Sequence, residues 1–296
     1  MCTSTGCLDY APERYRAEDI DIIRIIVNFK GREYLEGLDL DAVDFYRQLE
    51  ELEDPRNNLP STAMPYRETI ADHFERAYKE GYREVIVISL SAYLGGTWNL
   101  ISQVAKEFED RMRISVIDSK IACFGEGLLA IRARDLAAAG VDHDRILREL
   151  DWMIKRQEFI GVDGKLDYLI YNGRLKGGKA LMGRMLNICP VVHFSHEGEI
   201  CALQSVRTEK KALARSCEIV KELIGDRSPE DYLLWHVYTG PSLLKTLEEI
   251  EPRYGVKTNH EAMIVSPVSG AHNGPWLAGY GIAFLRRDDE PLDGDE

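Results

Sequence analysis

Val85-Ile-Val-Ile-Ser-Leu-Ser-Ala-Tyr-Leu-Gly-Gly-Thr-Trp98 joins a run of four β-branched residues to small hydroxyl and glycine residues and then to a helix. Four such residues bounded by Ser89 read as an inner strand of a parallel sheet. From Thr97 to Phe108 the apolar residues recur at helical spacing. The connecting loop therefore faces the free N–H groups at the start of a helix. Those groups and the positive end of the helix dipole suit a carboxylate or phosphate, and Gly95 and Gly96 allow close approach to the backbone. An ordinary strand-to-helix turn has the same pattern, so this stretch alone leaves both open.

Outward from this point strands and helices alternate. Asp21 to Phe29 reads as a strand. Asp41 to Leu52 reads as a helix capped by Asp41, with Val43, Phe45, Tyr46 and Leu49 for its buried face. Pro55 to Pro60 breaks the pattern. A helix over Tyr66 to Glu80 puts Ile70, Phe74, Ala77 and Tyr78 on one stripe and ends at Gly81. Ile114 to Ile117 is a short strand ending in Asp118-Ser119, and Gly127 to Ala139 a helix stopped by Gly140. This order implies a parallel, doubly wound sheet with ligands beyond the carboxyl ends of its strands, where the Ser91 loop and Asp118 lie.

A helix from about Asp144 to Arg156 leads into the second half. There Thr208 caps a helix ending before Gly225, and Tyr232–Tyr238, Met263–Ser266 and Gly281–Leu285 read as strands. At 296 residues two domains are expected. The expected division is an N-terminal α/β domain with a Rossmann-like parallel sheet, residues 1–156, and a C-terminal mixed α/β domain, residues 157–296. The acidic stretch from Asp288 to Glu296 is expected to trail into solvent.

Composition excludes several classes. Fifty acidic against 37 basic residues give a net charge of −13, the opposite of the positive surface that nucleic acids require. No run approaches the roughly 18 apolar residues of a membrane span, and the start of the chain lacks the features of an export signal, so a cytoplasmic protein is expected. The six cysteines are widely spaced and read as free thiols; neither they nor His193 and His196 form a metal-ligand pattern. Gly173 to Lys179 satisfies GxxxxGK, but Ala180 lacks the oxygen that a phosphate loop needs for its Mg²⁺. Ser91, Asp118 and His272 supply the residue types of a hydrolase triad in a known chain order, although Ser91 lies outside any GxSxG elbow.

Several segments, in order through nearly the whole chain, resemble the DegV family of fatty-acid-binding proteins, which includes the acyl-binding subunit of bacterial fatty acid kinase. Thr3-Ser-Thr5 is similar to the family's opening Asp-Ser-Thr, Thr62-Ala-Met-Pro65 to its Thr-Ser-Gln-Pro loop, and Ser91 to Trp98 to its Ser-Ser-Gly-Leu-Ser-Gly-Thr-Tyr loop. Val116-Ile-Asp-Ser119, Gly173-Arg-Leu175, Leu186-Asn-Ile-Cys-Pro190, Val206 to Leu213 and Gly270-Ala-His-Asn-Gly-Pro275 continue the resemblance.

The resemblance implies an EDD fold of two α/β domains clasping one long-chain fatty acid. It places Thr62, Ser91, Ala92, Gly95 and His272 at the carboxylate and Arg174 near the mouth or partner surface. It also implies a carrier that is not itself an enzyme, without cofactor, metal or catalytic residue, which presents its ligand to the ATP-binding subunit of a fatty acid kinase for acyl-phosphate formation. The alternatives are a serine-type acyl hydrolase using Ser91, Asp118 and His272, and a regulatory binding protein for another lipid-like acid. Ala92, Tyr93, Gly95 and Trp276 depart from the family pattern, removing hydroxyls and adding aromatic bulk.

Overall fold

The computed structural model describes all residues except 16–17, 53–57, 178–187, 287–289, 291 and 293–296. Pro55, the Gly178-Lys179-Ala180 end of the GxxxxGK segment, Leu186-Asn187 and most of the acidic stretch after Asp288 lie outside the described residues.

The first half is built around a parallel sheet of β1 (Cys2–Thr3), β2 (Ile22–Ile23), β6 (Glu84–Ser89) and β7 (Arg113–Asp118), in the order β2-β1-β6-β7. The order α2 (Arg67–Lys79), β6, α3 (Thr97–Lys106), β7, α4 (Phe124–Ala138) and α5 (His143–Ile154) is the alternation expected of a wound sheet. Ile70, Phe74, Val87, Ile101 and Val104 form a closed core between this sheet and its helices.

The stretch Asp21–Phe29 is not one strand. It divides at Arg24 into β2 and β3 (Ile26–Phe29), which belong to different sheets. Arg24 is held at the break by the Asp9 carboxylate and by the Glu36 carbonyl at 3.0 Å, and the next N–H, of Ile25, donates to Ser4 Oγ at 3.1 Å. β3 lies between β4 (Arg32–Leu35) and β5 (Ser61–Ala63) in a separate antiparallel sheet that the sequence pattern does not announce. Helix α1 (Ala42–Glu50) is capped by Asp41, which accepts from the Asp44 N–H at 3.0 Å; its buried face is Ala42, Phe45, Tyr46 and Leu49, whereas Val43 is exposed.

The second half carries a six-stranded sheet of β8 (Gln157–Asp163), β9 (Cys189–Phe194), β10 (Ile200–Val206), β11 (Tyr232–Tyr238), β12 (Met263–Ile264) and β13 (Leu277–Phe284), ordered β10-β9-β8-β13-β11-β12. Its pairings are antiparallel except β11 with β12. α6 (Asp167–Tyr171) follows β8. α7 (Glu209–Ile224), capped by Thr208, buries Ala212, Leu213, Cys217, Val220 and Ile224 against this sheet, and α8 (Pro241–Ile250) packs beside it.

A third core spans the halves. Phe124 of α4 meets Trp235 of β11 edge to face at 5.4 Å. The Tyr46 hydroxyl donates to the Val265 carbonyl at 2.8 Å, and the Val268 N–H of α9 (Pro267–Asn273) donates to the buried Glu36 carboxylate at 2.9 Å. Buried polar groups are costly without partners, so these bonds fix how α9 meets the first half. Among the described residues no helix is long and apolar enough to cross a membrane.

Candidate functional site

A narrow, partly open cleft of about 100 Å³ lies between the two halves. One wall is apolar: Phe159 of β8, Val192 and Phe194 of β9, and Ile200 of β10, with Phe159 and Phe194 packed edge to face at 5.6 Å. Strand alternation puts these side chains on the sheet face turned to the cleft. The other wall comes from the first half: Thr5, Ile25, Leu90, Ala122 and Cys123.

Polar groups gather where β5, the start of α3 and the end of α9 converge. Thr62 lies on β5, and its Oγ1 is 2.9 Å from Nε2 of His272 on α9. The buried His272 Nδ1 has no partner among the described residues. Burial, reinforced by the Arg174 charge, lowers the His272 pKa to about 3, so the ring is neutral at pH 7. Arg174 also lines the cleft. Its Nε donates to the Leu94 carbonyl at 3.0 Å and a second nitrogen to the Asn172 carbonyl, and no described carboxylate pairs with it. Burial pushes its pKa down. Gly95, Gly96 and Thr97 bring the first turn of α3, with its free N–H groups, to the same end. A neutral imidazole edge, a cation without an anion and a helix N-terminus together can receive one carboxylate.

The serine loop is organised differently. Ser91 is buried, and its hydroxyl donates to the Gly198 carbonyl in the β9–β10 turn at 2.8 Å. Neither Ser91 nor Ala92 lines the cleft; the Ala92 N–H donates to Asp118 Oδ1 at 3.1 Å. Asp118 also accepts from the Lys120 N–H and pairs with the Lys120 ammonium at 2.7 Å. The hydrolase triad is therefore not assembled: Ser91, Asp118 and His272 each bond to other partners. Tyr93 is exposed and Trp276 stacks beneath the Lys165 ammonium, so the two bulky departures leave the cleft unobstructed.

Some lining positions carry no sequence signal of their own. Phe159, Val192, Phe194 and Ile200 read as ordinary strand residues until the sheet shows which face they occupy. Glu126 leaves a trace, as the lone carboxyl in Cys123-Phe-Gly-Glu-Gly-Leu-Leu129, and it is completely buried behind Thr5. Among the described residues no group of three or more His, Cys, Asp or Glu is placed to hold a metal ion, and all six cysteines are free.

Comparisons with known proteins agree with this architecture. A DegV domain-containing protein of Listeria innocua is 30% identical over 279 residues, covering 93% of this chain and 95% of the relative. The crystal structure of a fatty-acid-binding DegV family protein from Streptococcus agalactiae superposes with a TM-score of 0.85 at 29% identity, covering 96% of this chain and 98% of the other. That of DegV from Bacillus subtilis, described as a fatty acid binding protein, gives 0.80 at 26% identity, with 96% and 98% covered. The family model described as uncharacterised protein, DegV family, matches residues 3–285, and the chain belongs to the DegV family.

Proposed function

We propose that this protein binds one long-chain fatty acid in the inter-half cleft and presents its carboxylate to the ATP-binding subunit of a fatty acid kinase, which makes the acyl phosphate. The supporting observation is the pairing of an apolar cleft with one polar end where, among the described residues, Arg174 has no carboxylate partner and His272 Nδ1 no hydrogen-bond partner. The fatty-acid-binding relatives from Streptococcus agalactiae and Bacillus subtilis support the same ligand.

The energetics divide the work. Burying roughly 14 methylenes at about 0.8 kcal/mol each supplies on the order of 11 kcal/mol before binding costs. A buried carboxylate mainly recovers its own desolvation through hydrogen bonds. The tail gives affinity and the head gives orientation. Thr62, His272, Arg174 and the Gly95 backbone form the proposed head-group seat. Ser91 and Ala92 contribute by fixing the adjoining loop through Gly198 and Asp118. As a carrier the chain needs no catalytic residue, cofactor or metal of its own, and it works in the cytoplasm.

Mass spectrometry of lipid extracted from the purified protein tests the ligand. A stoichiometric long-chain fatty acid is expected; a different lipid-like acid, or no acyl lipid after reloading with fatty acid, overturns the assignment. ATP-dependent formation of acyl phosphate with a DegV-type kinase tests the partner. Ester turnover that disappears in Ser91→Ala would replace the carrier with a hydrolase.

A further inference from the structure

Behind the cleft wall, Glu126 of α4 is fully buried and meets no cation among the described residues. Its Oε1 contacts the Thr3 hydroxyl, its Oε2 lies 2.6 Å from Thr5 Oγ1, and the two threonine oxygens are 2.9 Å apart. Three oxygen-to-oxygen contacts close a ring, and each needs one proton. The two hydroxyls supply two. The Leu90 N–H reaches Thr3 Oγ1 at 3.2 Å from outside the ring and adds none to it. If both hydroxyls and the Cys2 thiol donate to Glu126, the 2.9 Å contact between Thr3 and Thr5 holds no proton; a proton on the carboxyl group lets all three oxygen contacts be hydrogen bonds.

We propose that Glu126 is carried as a neutral acid and serves as a positioning residue, holding Thr5 and the neighbouring cleft wall at Cys123 in the shape that retains the ligand. The ring ties β1, the turn Ser4–Gly6 and α4 together, and Thr5 and Cys123 face the cleft. Burial is also the main cause that raises the Glu126 pKa to about 8. Ionisation would remove one ring bond, oppose the lone pairs of Thr3 and Thr5, and place a negative charge beside a cleft built for an anion.

The titratable groups facing Glu126 are thiols: Cys2 of β1, 3.5 Å away and itself pushed well up by burial, and Cys123 at the head of α4. Cys7 lies behind Cys123, and the Met1 ammonium beyond Cys2 is engaged with the Ile86 carbonyl. The ligand-binding part of this inference rests on the proposed fatty-acid function; the proton on Glu126 does not.

Two measurements test it. In protein labelled with ¹³C at glutamate carboxyls, one resonance that is missing from Glu126→Gln titrates near pH 8; if the resonance missing from that variant titrates within about one unit of the ordinary pKa near 4.3, the proposal is overturned. For a fluorescent long-chain fatty acid, affinity falls roughly tenfold from pH 7 to pH 9, because about a tenth of the molecules remain protonated. Glu126→Gln, which keeps the ring neutral, flattens that dependence. A flat wild-type profile, or an equal fall in the Gln variant, overturns the positioning role. If neither protein binds the probe at pH 7, the fatty-acid function fails, while the carboxyl titration still decides the protonation state.

Discussion

Ser91 and Thr62 are hydroxyl residues in two segments matched to one family site, yet the structure gives them opposite employment. Ser91 is buried with its hydroxyl bonded to the Gly198 carbonyl across the two halves. Thr62 faces the cleft and meets a histidine whose second nitrogen has no partner among the described residues. The first is a latch with complete hydrogen bonding; the second belongs to the proposed seat, where a buried ring nitrogen is left without a partner among the described residues. Complete bonding fits a structural role for Ser91, and incomplete bonding in a cleft fits the binding role proposed for Thr62 and His272.

The contrast breaks most readily at the latch. Gly198 has φ +95°, and a Cβ there would lie 2.2 Å from Ser91 Oγ and 3.0 Å from Lys120 Cα. Gly198→Val is expected to lose about 3 kcal/mol of stability in chemical denaturation, from strain and the lost bond together. At the seat, His272→Ala should weaken fatty-acid binding roughly 10- to 100-fold, about 1.5–3 kcal/mol, while ligand-free stability at pH 7 hardly falls. The same variant should change acid sensitivity. Because the folded pKa lies near 3, the unfolded chain binds the proton first. Above about pH 6.5 His272 is neutral in both states and has no pH-linked effect; as pH falls from there toward 3 the unfolded chain is protonated first and stability is lost. Thermal melts of ligand-free His272→Ala should therefore fall less steeply across that window.

Ser91→Ala sharpens the comparison in the opposite direction. It should cost about 1–2 kcal/mol of stability by stranding the Gly198 carbonyl, and change ligand affinity less than about threefold. A large affinity loss with intact stability would return Ser91 to the head-group seat. The smallest effect belongs to Gly95, where an added Cβ meets nothing within 4 Å. Gly95→Ser should leave stability within about 0.5 kcal/mol. It should tighten binding by a few fold, measured with the same fluorescent probe, by restoring a hydroxyl at the helix start.

Much of the fold was legible because local signals agree with the tertiary result. The β-branched run at Val85–Ile88, the Asp41 and Thr208 caps and the stripe Ile70, Phe74 and Ala77 all express themselves within a few residues. The break at Arg24 was not legible, since it carries no turn residue and the groups that bond to it, Asp9, Glu36 and Ser4, lie elsewhere in the chain. The candidate site shows the same limit. Thr62, Gly95, Arg174 and His272 appear in motifs, and the structure brings them to one cleft. The bond from Ser91 to Gly198 joins residues 107 positions apart, and no local pattern specifies which hydroxyl will turn inward.

The net charge of −13 gives the cleft an unusual approach path. A fatty acid arriving as an anion is repelled by the molecule as a whole and attracted only within a short distance of Arg174. Added salt shortens the reach of both forces, from about 30 Å at 0.01 M to about 8 Å at physiological strength. The long-range repulsion is suppressed more than the contact with a half-buried guanidinium. Capture of free fatty acid should then become faster as ionic strength rises, the reverse of the usual behaviour for electrostatically steered ligands, and stopped-flow uptake across a salt series would show it.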